Sequence, residues 1–444
     1  MLFWILQVIQ FFLILGLSWL ALKLRTPLLA SVRAELLWLL PLTFGGLLGL
    51  NLWRSGARKH TENRIHYGVR HLPLVLCAAG LTFVLTTEGH YRWVKQTVLT
   101  GDRMQLQRLG QHLVVGYRDF EAIHRLVQKG GIGGVFITRH NLAGQTIAQL
   151  QQQIATLQAL RQEQNLPPLW IATDQEGGIV SRLSPPLTHL PPLAEVVSQA
   201  TTPASQHQQV QQYGDIHGRE LAALGINLNF APVVDLNKGV VTPGDRLSVI
   251  YRRAISDDNT VVATVAQHYC AALFSHGVRC TLKHFPGLGR LEGDTHLNSA
   301  HLDTPVAELA QDDWIPFQQV MQTTETMTML GHPILTAVDN RHPVSFSAAV
   351  VDGILRQQWQ YEGLLITDDF SMGAVFNTRD SVTGATIKAL NAGVDLILVS
   401  YDADLYYPVM ATLMQAEQDN RLSSEQLAAS RDRLQKHPPS IPTT

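Results

Sequence analysis

Along the first hundred positions the apolar residues come in long unbroken runs; beyond them they come in short β-branched bursts. Residues 2–22 (LFWILQVIQFFLILGLSWLAL) carry no charge, and about 20 apolar residues are what a helix needs to cross the hydrocarbon of a bilayer. Residues 36–53 (LLWLLPLTFGGLLGLNLW) form a second uncharged run, and residues 71–87 (HLPLVLCAAGLTFVLTT) a third, shorter one. Buried helices of a soluble core would not all gather at one end at such lengths. A cleaved signal peptide would open on a basic stretch, which this chain lacks. The pattern predicts a membrane-anchoring region over residues 1–95 with two to three transmembrane helices, the third being the weakest.

The lysines and arginines between the runs set the expected orientation. Lys23, Arg25 and Arg33 lie between the first two runs, whereas Arg54, Arg58, Lys59, Arg64 and Arg70 lie between the second and third. The more basic loop is expected in the cytoplasm. With three spans the rest of the chain then lies outside, as in a multi-pass protein of a bacterial inner membrane with a periplasmic domain. With two spans it lies in the cytoplasm.

From about residue 104 the pattern changes. Apolar bursts near residues 112, 133, 169, 226, 278, 327, 363 and 394 alternate with helix-period stretches such as TIAQLQQQIATLQALRQEQN and TVVATVAQHYCAALFSHG. Eight strands with intervening helices predict a (β/α)8 TIM barrel over 104–436. An open doubly wound sheet shows the same alternation, but no glycine-rich phosphate loop opens a helix here. The tail 437–444 (HPPSIPTT) reads as a disordered end.

Composition changes this picture little. The formal net charge is −2, which offers no basic surface for nucleic acid. The three cysteines match no zinc or haem spacing. Cys77 sits in an apolar run, and the sequence leaves open whether Cys270 and Cys280 pair.

Barrel chemistry gathers where strands end, and polar residues fall there repeatedly: Asp174 after the third strand, Asp235 and then Arg246 after the fourth, Lys283 and His284 at the fifth, His332 at the sixth, Asp368 and Asp369 at the seventh. One such residue is readily a rim salt bridge; five strands delivering them to one rim is hard to ascribe to packing. Asp368 can attack an electrophilic carbon, and Asp369 can support it or cap the next helix. Asp294 and His296 form an Asp-x-His pair in which the carboxylate fixes the imidazole for acid–base work. Lys283, His284 and Arg246 supply donors suited to sugar hydroxyls or an acetamide, and Asp174 an acceptor. Glu176 reads as structural, and His332 as a wall residue. A metal held by His284, His296, His332 and Asp368 is disfavoured, because no His-x-His pair is present and Lys283 would repel a cation.

These stretches resemble glycoside hydrolase family 3, within it the single-domain β-N-acetylglucosaminidases. KHFPGLGRLEGDTHL is similar to that group's KHFPGHG followed by Asp-Ser-His, DQEGG to its D-x-E-G-G-R, NFAPVVDL and GDRLS to its N-x-A-P-V-x-D and G-x-R-S/A-F, and ITDDFSMGAV to its S-D-D-L-S-M. The resemblance implies a retaining hydrolase without a cofactor. Asp368 would be the nucleophile, His296 with Asp294 the acid/base, and Asp174, Arg246, Lys283 and His284 the holders of a terminal GlcNAc on a glycan or muropeptide. Ile179 stands where the DQEGG stretch normally continues with Arg, Leu288 replaces the second His of KHFPGHG, and Thr295 replaces Ser. Two alternatives remain open: phosphorolysis, since a neutral His repels phosphate less than a carboxylate does, and a membrane-tethered sugar-binding protein without turnover.

Overall fold

The computed structural model describes residues 2–56, 64–243 and 245–441. Gly244 of the GDRLS stretch, Arg58 and Lys59 of the basic segment, and the end of the tail from 442 lie outside the described residues. The chain divides into two compact units, Met1–Thr97 and Val98–Thr444.

Among the described residues the first unit is built on three α-helices: α1 (Leu2–Lys23), α2 (Arg33–Gly56) and α3 (Arg64–Leu99). Ile14, Leu24, Leu40, Phe44, Cys77 and Val84 pack between them. Gly80 is needed at that seam, because a Cβ there would sit 2.5 Å from the Phe44 ring. Arg25 reaches across to Glu88. The third apolar run is the middle of a longer helix: Glu88 pairs with Arg92 one turn on, and the charged stretch after residue 87 stays helical to Leu99. By length and composition alone, Arg33–Trp53 and His71–Leu99 could each cross a membrane, and the apolar helix Gln7–Lys23 is shorter. Large apolar side chains such as Phe12, Trp38 and Trp53 are exposed on this unit.

The second unit is a parallel eight-stranded barrel. Its strands are β1 (Leu113–Gly116), β2 (Gly134–Phe136), β3 (Trp170–Thr173), β4 (Leu228–Asn229), β5 (Arg279–Phe285), β6 (Met327–Leu330), β7 (Leu364–Thr367) and β8 (Ile397–Val399). Each strand pairs in parallel with its neighbours in sequence, and β8 pairs with β1. A bridge between Ile366 and Leu396 joins β7 to β8 and closes the ring. Asp395, fully buried at that seam, accepts from Leu365 N and is paired with Arg356 and Arg433 at 2.7 and 2.9 Å. Helices α4 (Phe120–Gln128), α5 (Ile147–Glu163), α6 (Pro203–Ala223), α7 (Asn259–Ser275), α8 (Ile315–Thr323), a π-helical segment (Ala349–Gln358), α9 (Ser381–Asn391) and α10 (Tyr406–Gln418) follow the successive strands.

Alternate residues point into the barrel, as a period of two requires. Val114, Phe136, Trp170, Ala172, Leu228, Phe230, Met327, Met329, Leu364, Ile366 and Leu398 fill it. The apolar burst near residue 226 yields only a two-residue strand. There, side-chain amides take over from the ladder: Asn227 Oδ1 accepts from Ile171 N at 2.7 Å, and Asn229 pairs with both N and O of Gln175. Pro232 then removes a backbone donor. Cys270 on α7 and Cys280 on β5 form a disulfide, with their Cα atoms 5.3 Å apart. In the tail, Pro439 is buried and Ser440 O accepts from Asn227 Nδ2 at 2.8 Å.

Candidate functional site

The C-terminal ends of β3, β5 and β7 and the loops that follow them build one polar floor. β3 is followed by a tight hairpin, Gln175–Ser181. Its Gly177 has φ +93°, and any Cβ there would strike the Tyr213 hydroxyl. The turn aims Glu176 inward beside Asp174. Lys283, near the end of β5, bridges the two carboxylates: its Nζ lies 2.8 Å from Asp174 Oδ1 and 2.6 Å from Glu176 Oε1. Arg253 clamps Glu176 from the other side, Nη2 at 2.6 Å and Nε at 3.0 Å. Burial pushes the Glu176 carboxyl up, but Arg253 and Lys283 bring it down to about 2.

His284, next along β5, is held by Asp235. Asp235 is fully buried; its Oδ2 lies 2.7 Å from His284 Nδ1, and its Oδ1 accepts from His284 N and Leu288 N. The imidazole proton on Nδ1 thus goes to the carboxylate, leaving Nε2 free to face Arg253 Nη2 at 3.5 Å. Leu288, in the place of the second His, is buried and contributes its backbone N–H.

Asp368 lies at the end of β7, its N–H on Leu330 O. Its Oδ1 accepts from Asp369 N at 2.8 Å. Burial raises the Asp368 carboxyl, but His284, His332 and His296, with the Asp369 N–H, lower it to about 2. It is therefore an ionised, half-buried carboxylate at neutral pH. Asp369 has no lone pair to spare: it accepts from Ser371 N, Ser400 N, Ser400 Oγ and Tyr401 N, tying the β7 loop to the β8 loop. His332 is buried between Ser345 Oγ at 2.8 Å and Asp369 O at 3.1 Å, and burial lowers its pKa. It is a buttress under the loop that carries Asp368.

Asp294 and His296 sit in the long loop after β5. Asp294 Oδ1 accepts from both His296 N, at 2.9 Å, and His296 Nδ1, at 2.7 Å. Burial raises the Asp294 carboxyl, but those bonds to His296 outweigh it and hold it below the usual range. The pairing leaves Nε2 to give or take a proton. The loop is docked on the β7 loop: Gly373 N donates to His296 O at 2.8 Å and Ala374 N to Thr295 O at 3.1 Å. Gly373 is required there, since a Cβ would lie 2.0 Å from Leu297 O.

Asp174, Lys283, His284, Asp368, Asp294 and His296 are thus brought to one end of the barrel. Arg246 is not part of the cluster; it is exposed and has no hydrogen bond or ion pair among the described residues. The guanidinium in the floor belongs to Arg253, which the sequence reading missed. A signal was present: Arg253-Ala254-Ile255 has the order Arg, small, apolar, whereas Leu247 follows Arg246. Glu176, read as structural, and Asp235, read only as a strand-end acid, both hold the donors in place. Chemically, the arrangement offers a half-buried anionic nucleophile, an imidazole with a carboxylate behind it, and a floor of fixed donors and acceptors that fits a polyhydroxylated ring. Among the described residues no group of His, Cys, Asp and Glu is arranged to hold a metal ion.

Residues 104–436 match the glycosyl hydrolase family 3 N terminal domain. A beta-hexosaminidase from Xanthomonas euvesicatoria pv. vesicatoria (strain 85-10) is 32% identical over 302 residues, covering 68% of this chain and 84% of that protein. The structure of a glycoside hydrolase family 3 beta-N-acetylglucosaminidase from Paenibacillus sp. str. FPU-7 superposes with a TM-score of 0.67 at 30% identity, over 74% of this chain and 61% of that one. A family 3 glycosyl hydrolase from Mycobacterium smegmatis str. MC2 155 gives 0.65 at 28% identity, over 78% of this chain and 99% of that one.

Proposed function

Since the chain belongs to glycosyl hydrolase family 3, we propose that it is a retaining exo-β-N-acetylglucosaminidase working through Asp368, His296 and Asp294. The observation that carries the mechanism is an ionised, half-buried Asp368 at the same barrel end as a histidine whose Nδ1 is tied to a carboxylate. Asp368 attacks the anomeric carbon as the bond to the leaving oxygen breaks. His296 Nε2 delivers its proton to that oxygen, and Asp294 stabilises the imidazolium while it lasts. In the second half His296 takes a proton from water, the water oxygen attacks the same carbon, and Asp368 leaves. Two displacements on one carbon return the β-anomer. Lys283, His284, Asp174 and Arg253 hold the terminal sugar, with Arg253 in the place expected of Arg246.

The proposed setting is a bilayer, with the catalytic unit on its outer side and a peptidoglycan-derived glycan as the source of terminal β-GlcNAc. Two observations support it. In each of the two candidate spans, 17% of the most apolar 18-residue window is buried within the protein, which supports an apolar surround for these helices. The Cys270–Cys280 disulfide suits an oxidising compartment.

NMR of the first-formed sugar tests the reaction. The proposal requires β-GlcNAc ahead of mutarotation and its loss in Asp368→Asn. α-GlcNAc as first product rules out the double displacement, and N-acetylglucosamine 1-phosphate formed in phosphate buffer identifies a phosphorylase.

A further inference from the structure

At the other end of the barrel the starts of β5, β6 and β7 frame a cleft of about 640 Å³, a volume within the range of small-molecule sites. Arg279 opens β5, Thr326 precedes β6 and Gly363 precedes β7; His437 of the carboxyl-terminal tail also lines the cleft. Because the strands run parallel, this end faces away from Asp174, Lys283 and Asp368. The stretch of β5 from Arg279 to Lys283 alone spans roughly 13 Å. The walls are fixed. Tyr361 Oη donates to Thr326 O at 3.2 Å, joining the β7 side to the β6 side. Arg356 Nη1 donates to Tyr361 O and Gly363 O at 2.5 and 2.8 Å. The Trp359 ring stands edge-to-face on Trp314 and Phe285, with centroids 5.4 and 5.5 Å away, and is half-buried. Gln360 follows with φ +52°, at a turn position that favours glycine or asparagine.

The lining is suited to exchanging hydrogen bonds and poorly suited to holding a charge. Gln318, Gln322, Gln358 and Gln360 all line the cleft, and among the described residues none of these amides has a side-chain hydrogen bond. Each offers an NH2 donor and a carbonyl acceptor. Arg279 is 7% exposed and lies over the Trp170 ring, 5.8 Å from its centroid. Its Nη2 donates to Glu325 at 3.2 Å, the one hydrogen bond of this guanidinium among the described residues. His437 Nδ1 is buried and likewise has no partner among them. Glu325 offsets Arg279, Glu362 is exposed at the rim, and burial together with Arg279 lowers the His437 pKa, so the imidazole is neutral at pH 7. An anion would meet two carboxylates here, and a cation would meet the guanidinium. A neutral ligand rich in hydroxyls and amides suits the whole lining, and the half-buried indole offers the apolar face of a sugar ring a surface.

We propose that this cleft is a second glycan-binding site, which holds a neutral stretch of a GlcNAc-containing chain at the end of the barrel away from catalysis. The choice of a glycan rests on membership of the family, not on the roles given to Asp368 and His296. Held at a second place, a glycan chain stays on the protein while its end is released from the catalytic floor.

The test uses chitotetraose and the full-length Asp368→Asn protein, which does not consume this probe. Fluorotryptophan labelling with fluorine NMR reads Trp359 itself, its line being assigned by its loss in Trp359→Phe. The expected result is a saturable shift of that line. In the double variant Gln322→Ala, Gln358→Ala the Kd rises roughly tenfold, as for the loss of two hydrogen-bonding side chains; both residues are exposed, so the fold is kept. No shift up to the solubility limit of the probe overturns the site, and so does an unchanged Kd in the double variant. A shift with citrate and none with chitotetraose also overturns it, by making Arg279 the centre of an anion site. Turnover of an aryl β-N-acetylglucosaminide by the wild type is followed in parallel. Its absence with the Trp359 shift intact would remove the glycosidase reading and leave the cleft; turnover without the shift would do the reverse.

Discussion

Replacing Glu176 by Gln keeps the shape of the side chain and removes its charge. The carboxylate is 7% exposed and holds Lys283 Nζ and Arg253 Nη2, each at 2.6 Å. Burial alone would raise its pKa; Arg253 and Lys283 instead bring it from 4.5 to about 2. A fall of that size corresponds to roughly 3 kcal/mol in favour of the ionised folded state. It agrees with the 3–5 kcal/mol or so typical of removing one partner from a buried ion pair. Because the folded pKa is depressed, the stabilisation is fully present above about pH 4.5 and is lost as the pH falls towards 2. At pH 7, Glu176→Gln is expected to melt roughly 4 °C below the wild type, with Lys283 and Arg253 left buried and uncompensated. The gap should narrow steadily below pH 4.5. Thermal unfolding followed by near-ultraviolet circular dichroism, on both proteins across that range, provides the comparison. Melting temperatures that coincide at pH 7, or a gap of constant size down to pH 3, would refute the reasoning.

Four further outcomes are expected. The profile of kcat/KM against pH should show no acid limb from the nucleophile until the pH approaches about 2, and His284→Gln should move that limb upward by removing the strongest of the opposing charges; a wild-type limb indifferent to His284 would contradict this. Gly373→Ala should cut kcat by about a hundredfold, since its Cβ would sit 2.0 Å from the Leu297 carbonyl oxygen and displace the loop that carries His296; unchanged turnover would show that the docking is dispensable. Denatured, unreduced protein should titrate as a single thiol, Cys77. Converting Cys270 and Cys280 to Ala should cost about 3 kcal/mol for a bridge closing 10 residues, read as a lower melting temperature.

The barrel was legible because each strand is a short β-branched burst between helix-period stretches, and Asp368, Lys283 and His284 were legible because they end such bursts. What escaped were features set by contact across the fold. Arg246 and Arg253 are separated by one loop, and only the packing of that loop on the β3 hairpin decides which guanidinium reaches Glu176. Asp235 was visible as a strand-end acid, but not as the partner of His284, 49 positions away. The pairing of Cys270 with Cys280 depends on the register of α7 against β5, which spacing does not encode. In the amino-terminal unit, the third apolar run was bounded where charge begins. A helix does not stop for charges that pair one turn apart, so α3 continues through Glu88 and Arg92.

The central claim is that Asp368 becomes covalently glycosylated. It is tested most directly in His296→Ala with an aryl β-N-acetylglucosaminide whose leaving group needs no protonation. Attack by Asp368 then proceeds while the step that needs a base is slowed, so the intermediate accumulates. Acid quenching and peptide mass spectrometry should find the peptide bearing Asp368 heavier by one N-acetylhexosamine residue, with no such adduct when Asp368 is also changed to Asn. The aryl group released without any adduct, or an adduct on another residue, would contradict the account.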